Sequence, residues 1–210
     1  MVKRSRIIYV YMEGGGDSQN LHTELRQGMR AFLEKAGLKG MLPKVFACGR
    51  RDDAYRDFKQ AIKANKNDEI PFLLVDSECA VAKEHENKPW DHLKQRDHWD
   101  KPDDATDEQC HLMVQCMESW FLADPEALEK FYDQGFNKNH IPAQGQNVEK
   151  IEKEQVYKTL EMATRNCKTK GEYGKGKHSF KLLGLIDPEK VKTASDWAKR
   201  FFDKLKTTLS

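Results

Sequence analysis
The sharpest constraint in this sequence is the break after Met12. The run Ile7-Ile8-Tyr9-Val10-Tyr11-Met12, apolar almost throughout, is cut off by Glu13-Gly14-Gly15-Gly16-Asp17. Behind it Leu21, Leu25, Met29, Phe32, Leu33 and Ala36 recur at helical spacing. A continuous β-branched and aromatic run suits a strand covered on both faces, as in a parallel sheet. The spacing behind it predicts an amphipathic helix with Ser18 as N-cap and Gly37 as stop. Strand, glycine loop and helix follow one another within the first 37 residues.

The pattern then repeats. A second strand is expected around Lys44-Val45-Phe46-Ala47-Cys48, followed by Gly49-Arg50-Arg51 and a helix with Tyr55, Phe58 and Ile62 on one face. A third strand, Pro71 to Val75, ends at Asp76-Ser77-Glu78. Strands alternating with helices require right-handed crossovers, hence a mostly parallel sheet of about four strands flanked by helices. The fourth strand is expected within His111 to Met117, before Glu118-Ser119-Trp120-Phe121. Between them, Val81 to Gln109 is polar, with Trp90 and Trp99 among many charges, and reads as a long insertion or lid.

Beyond the fourth strand the chain reads as helical. Asp124-Pro125 and Asp187-Pro188 each pair an N-cap with a proline at the first helical position. Helices are expected over Val156 to Cys167, near Phe180 to Leu185, and at the end, where Trp197, Phe201, Phe202 and Leu205 form an apolar stripe. The expected organisation is one α/β domain over 1–210: a core over 1–125 that includes the insertion 81–109, and a helical C-terminal extension over 126–210.

Composition excludes several classes. With 38% hydrophobic and 33% charged residues, wholesale disorder is ruled out, and no apolar run approaches the length of a membrane span. Met1 to Ser5 lead into the first strand without a signal-peptide core, so a soluble, cytoplasmic protein is expected. The five cysteines are odd in number and contain no Cys-x-x-Cys pair, which favours reduced thiols. A net charge of +2 is too small to mark a nucleic-acid binder by its overall field, so phosphate recognition must be local.

The chemistry-bearing residues gather at the carboxyl ends of the expected strands, where open α/β sheets bind ligands. Glu13, Asp76 and Glu78 brought together would repel one another without a compensating cation. Magnesium or manganese suits such carboxylate oxygens and is commonly completed by substrate phosphates. Two such ions could support phosphodiester cleavage. Gly14, Gly15 and Gly16 permit close backbone approach, and the helix start behind them offers free N–H groups to an anion. Asp17 either supports the metal shell or caps the helix. Each of these acids, taken alone, also reads as an ordinary turn or cap residue.

Basic residues have two readings as well. Arg50 and Arg51 either grip a phosphate or pair with Asp52 and Asp53. The segment Arg165 to Lys181, which contains Lys175, Lys177 and His178, either neutralises a nucleic-acid backbone or is a plain solvated loop. Lys177 and His178, at a helix start, are candidate catalytic and substrate contacts, and Lys175 a phosphate contact. His85, His92, His98 and His111 with Cys110 invite zinc, but their spacing matches no tight ligand pattern. The glycine loop is neither Gly-x-Gly-x-x-Gly nor a P-loop, which weighs against a nucleotide-cofactor protein.

The Glu13-to-Asp17 loop after a first strand, with Asp76-Ser77-Glu78 after a third, resembles the Toprim fold of topoisomerases, primases and overcoming-lysogenization-defect nucleases. Over nearly all of its length the chain is similar to a bacterial Toprim-related family of unknown function. The likeness rests on Cys48-Gly49-Arg50, Ala54 to Phe58, His111 to Asp124 and Lys177-His178. The resemblance implies a magnesium site in which Glu13 serves as acid/base or ligand and Asp76 and Glu78 bind metal. Glu118 would add a further ligand; its other reading is a solvent-facing acid at a helix start. It also implies a nuclease acting on DNA or RNA in anti-phage defence, beside an ATPase of the AAA or ABC type. An inactive, partner-dependent subunit is the alternative, and self-association is left open. The usual second motif is Asp-x-Asp followed by glycine, whereas this chain has Glu78 and Cys79.

Overall fold
The apolar run and its glycine break form the strand and loop that their composition requires. In the computed structural model, which describes residues 7–64 and 68–209, β1 (Ile7–Gly15) leads to α1 (Gln19–Leu33), β2 (Lys44–Gly49), α2 (Arg51–Ala64) and β3 (Glu69–Asp76). α3 (Pro89–Asp97) and β4 (Cys110–Met113) follow. α4 (Pro125–Tyr132), α5 (Lys153–Thr164), α6 (Lys175–Leu185), α7 (Pro188–Ala194) and α8 (Asp196–Leu209) make the C-terminal part helical. The reading of Met1 to Ser5 lies outside the described residues.

All strand pairings are parallel, in the order β2-β1-β3-β4. The chain therefore runs from β1 to one side, then crosses to the other, and the direction of winding reverses between β1 and β3. Side-chain alternation sorts the two faces. Ile8, Val10, Met12, Phe72 and Leu74 pack with Leu25, Met29 and Phe32 of α1, whereas Leu73, Val75 and Leu112 pack with Ala54, Tyr55 and Phe58 of α2. β3 is buried on both faces, which explains its unbroken apolar sequence.

The stretch Val81 to Gln109, read as a long insertion or lid, is an insertion seated on α2. Trp90 and Trp99 are buried against α2, with the Trp99 ring stacked on Tyr55 at 4.4 Å between centroids and Trp90 at 5.7 Å from Phe58. The two indoles, with Leu93 and Ala105, supply the apolar area that seats a segment otherwise rich in charge. The run His111 to Met117 also divides. Only Cys110–Met113 is strand, and Met117–Ala123 turns as a 3-10 helix buried throughout.

The helical region shares one core with the sheet. The Asp124 carboxylate accepts from the Ala127 amide at the start of α4 and from Asp187 N, and Asp187 in turn caps α7 through Glu189 N. Phe201, Phe202 and Leu205 of α8 are fully buried, as their stripe requires, and Arg200 donates to the Cys110 carbonyl of β4. α6 lies across α1 at Gly28, where a Cβ would run into the Phe180 carbonyl. Gly28→Ala is accordingly expected to destabilise the fold by about 1–3 kcal/mol through overpacking. Urea denaturation reads the loss, and an unchanged midpoint would refute this close approach. Among the described residues no helix is long and apolar enough to cross a membrane, and all five cysteines are free.

Candidate metal centre
Four parallel strands deliver their carboxyl ends to one side of the molecule. Glu13, near the end of β1, and Asp76, the last residue of β3, are thereby neighbours at the reversal point. Beyond β3 the ladder continues as Ser77 N donates to the Met113 carbonyl and Glu78 N to that of Gln115. These bonds hold Glu78 in the left-handed region, with φ of 68°, a conformation that costs a β-carbon-bearing residue about 1 kcal/mol. The turn brings its carboxylate back to the strand ends. Oxygen atoms of Glu13, Asp76 and Glu78 lie within 4.8 Å of one another, and the three form a group able to hold a metal ion.

Three carboxylates are hard donors, suited to magnesium, manganese or calcium rather than to thiophilic ions. Among the described residues this is the only such group of three or more. Two of the four histidines weighed for zinc are engaged elsewhere. His92 Nε2 bonds the Ser77 carbonyl at 2.9 Å, and His111 is buried between Phe72 and Phe201 with Arg200 at its Nδ1.

The acids differ in their surroundings. Asp76 is buried; one carboxylate oxygen accepts from Met117 N at 2.8 Å, and the other lies 3.9 Å from Lys153 Nζ. Burial, then the charges of Glu13 and Glu118, push its pKa well above the usual carboxylate range, so the site is short of positive charge at this point. Glu13 accepts from the Asp76 amide at 2.8 Å and from Arg51 at 3.3 Å. At Glu78 burial is the largest single influence and works to raise the pKa, but the 2.6 Å bond and charge of Lys153 together with the charges of Arg51 and Arg96 lower it on balance. The Lys153 ammonium thus stands between Asp76 and Glu78, where a bound cation would sit. The donors and their charge balance fit a divalent ion that displaces this ammonium.

Beside the acids lies a cavity of about 740 Å³. The glycine loop forms one wall, and at Gly15, with φ of 86°, a Cβ would come within 2.5 Å of the His22 ring. Asp17 lines the same wall, and Arg50 pairs with it at 3.2 Å on the exposed surface without reaching the cavity. From the opposite side α6 contributes Lys175, Gly176 and Phe180. Lys175 Nζ donates to the Tyr157 hydroxyl at 3.0 Å, and although burial disfavours its charge, Glu118 and Asp76 keep its pKa raised.

Glu118 is fully buried in the cavity wall, which overturns its reading as a solvent-facing acid. Its oxygens accept from Tyr157 at 3.2 Å, Tyr173 at 3.1 Å and Ser179 at 3.2 Å. Three hydroxyls satisfy the carboxylate as a metal would, and Glu118 stands outside the group of three acids. Burial, followed by the Glu118 charge, drives both tyrosine pKa values upward, so the hydroxyls stay protonated donors.

Two expected contacts lie away from the cavity. Lys177 donates to the Lys170 carbonyl, and His178 is buried with its Nδ1 bonded by Tyr132 Oη and Gly174 N. The α6 phase that buries Ser179 and Phe180 turns His178 into the core and Lys177 outward. Conversely, Arg51 takes partners other than the neighbouring Asp52 and Asp53, and Arg96, which sequence reasoning passed over, joins the site. Arg51 pairs with Asp97 at 2.8 Å and also bonds the Asp76 carbonyl, and Arg96 reaches Glu78 at 3.5 Å.

A parallel α/β sheet with an acidic group at its winding reversal, roofed by helices from the C-terminal half, defines the class. Within that class, residues 12–206 match the family model described as a domain of unknown function, DUF4276, and the chain belongs to that family. No curated protein and no solved structure matches the chain significantly.

Proposed function
We propose that this protein is a magnesium- or manganese-dependent phosphoryl-transfer enzyme of Toprim type, cleaving nucleic acid. The observation that carries this reading is the convergence of Glu13, Asp76 and Glu78, acids from the ends of two strands, within 4.8 Å beside a cavity. A bound divalent ion would supply a polarised phosphate and an activated water. The chain's own groups divide the remaining work. Asp76 and Glu78 hold the ion, Glu13 orients the Asp76 backbone and stands ready to move a proton, and Lys175 offers its charge to a phosphate in the cavity. Arg51 fixes the Glu13 carboxylate through a guanidinium itself anchored on Asp97.

Cleavage of DNA and RNA in magnesium or manganese tests the reading. The wild-type protein is expected to cleave, chelation to abolish cleavage, and Glu13→Gln to reduce it about 100-fold or more. Equal cleavage by wild type and variant would remove the site from the reaction.

A second reading, a partner-dependent subunit of an AAA- or ABC-type ATPase complex in anti-phage defence, draws support from Lys153 and Arg96, which close on Glu78. It requires activity that appears only with the ATPase. Full activity of the isolated chain would dispose of it.

A further inference from the structure
The cavity beside the acids has two unlike halves. Its carboxyl-end floor carries Glu13 and Asp76, with Lys175 across from them. The rest is walled by Leu21 of α1, Met117 of the 3-10 turn after β4, and Phe180 of α6. A metal and a phosphate group use only the first half. The apolar half, where the Phe180 ring packs 3.6 Å from where a Gly14 Cβ would be, suits a weakly polar group beside the phosphate.

Size narrows the choice. A volume of about 740 Å³ corresponds to a sphere about 11 Å across, within the range of small-ligand sites. A duplex, whose major groove alone is about 12 Å wide, cannot enter it. Asp76 is 5% exposed at the floor, so a scissile phosphate has to come down to it rather than pass over it. We propose that the cavity admits one nucleotide of an unpaired strand or strand end, its phosphate toward Asp76 and Lys175 and its base against Phe180, Leu21 and Met117. The inference rests on the phosphoryl-transfer reading above and deepens it by naming the substrate class. Bases splayed from a single strand stack on apolar and aromatic side chains without regard to sequence.

Gly176 provides a clean test. It lines the cavity near the start of α6, its backbone is outside the left-handed region, and a Cβ there would make ordinary contact with Leu21 at 3.8 Å. Gly176→Leu therefore fills the mouth while replacing a poor helix former with a good one. Binding is read by fluorescence anisotropy in calcium with a labelled 12-nucleotide single strand and with the same strand as duplex. Competitors are adenosine 5′-monophosphate and inorganic phosphate. The single strand is expected to bind at least about tenfold more tightly than the duplex, with the nucleotide competing and phosphate failing to compete at equal concentration. Gly176→Leu is expected to weaken single-strand binding about tenfold with an unchanged or raised Tm. Equal binding of duplex and single strand, equal competition by phosphate, or wild-type affinity in the variant would overturn the inference. Selective single-strand binding without any cleavage in magnesium or manganese would sink the enzymatic reading and leave the inference standing. Duplex cleavage as fast as single-strand cleavage would do the reverse.

Discussion
Asp76→Asn is expected to raise the Tm of the metal-free protein at pH 7 while lowering metal-dependent cleavage about 100-fold or more. The two effects share one cause. Asp76 is buried near Glu13 and Glu118, and its charged form is disfavoured in the fold. Because the folded pKa lies above the unfolded one, the carboxyl's contribution to stability is complete below the ordinary aspartate pKa of about 4 and is lost as pH rises toward the folded value. Asparagine keeps the acceptor for Met117 N and removes the charge. A gain of about 1 kcal/mol would appear as about 2–4 °C in a chain of this size. Scanning Tm from pH 4 to 8 in chelator should show the variant ahead at neutral pH and the gap closing in acid, where wild-type Asp76 is protonated. Added magnesium should then raise the wild-type Tm more than the variant's, because only an ion bound to the native state stabilises it. A gap that stays constant with pH would show that the Asp76 charge is not disfavoured in the fold, and a variant equally stabilised by magnesium would show that Asp76 is not a ligand.

The parts of this site that were legible in the sequence are those written in continuous local pattern. β1 and β3 were readable as apolar runs, and their terminal acids followed from where the runs stop. Arg51 was readable too, since Ala54, Tyr55, Phe58 and Ile62 define the buried face of α2 and Arg51 stands three and four residues before the first two. Arg50, one step off that face, pairs with Asp17 in solvent instead. Helix phase in the same way places Lys153 three residues before Val156 on the inner face of α5. What phase could not reveal is which acids those faces meet. Lys153 finds Glu78 across 75 residues, and Glu118 finds Tyr157 and Ser179 across 39 and 61. The insertion misled because its charge count hid two tryptophans that seat it on α2. Lys177 and His178 misled because adjacency to a glycine-rich turn carries no information about which way a helix is rotated.

Arg51→Met should strongly destabilise the metal-free fold. The guanidinium is mostly buried, bonds Asp97 twice, reaches Glu13 at 3.3 Å and the Asp76 carbonyl, and lies 4.8 Å from the centre of the Trp99 ring. Methionine approximates the stem and removes the charge, so Glu13 remains in a partly dry site without its arginine and Asp97 is left with Arg96 alone. Removing one member of a buried ion pair typically costs about 3–5 kcal/mol, which here corresponds to a fall of about 10 °C in Tm. The exposed neighbour is the control: Arg50→Ala breaks only a solvent-screened pair and should leave Tm where it was. Metal separates this site from an ordinary salt-bridge network. If Glu13 helps hold a divalent ion, magnesium should restore part of the stability lost in Arg51→Met, because the ion replaces the missing positive charge. An Arg51→Met protein that loses the same stability with and without magnesium would show the arginine to be purely architectural and Glu13 to be outside the metal's reach. Recovery by magnesium in Arg51→Met, abolished again when Asp76→Asn is added, would tie the arginine, both acids and the ion into one balance of charge.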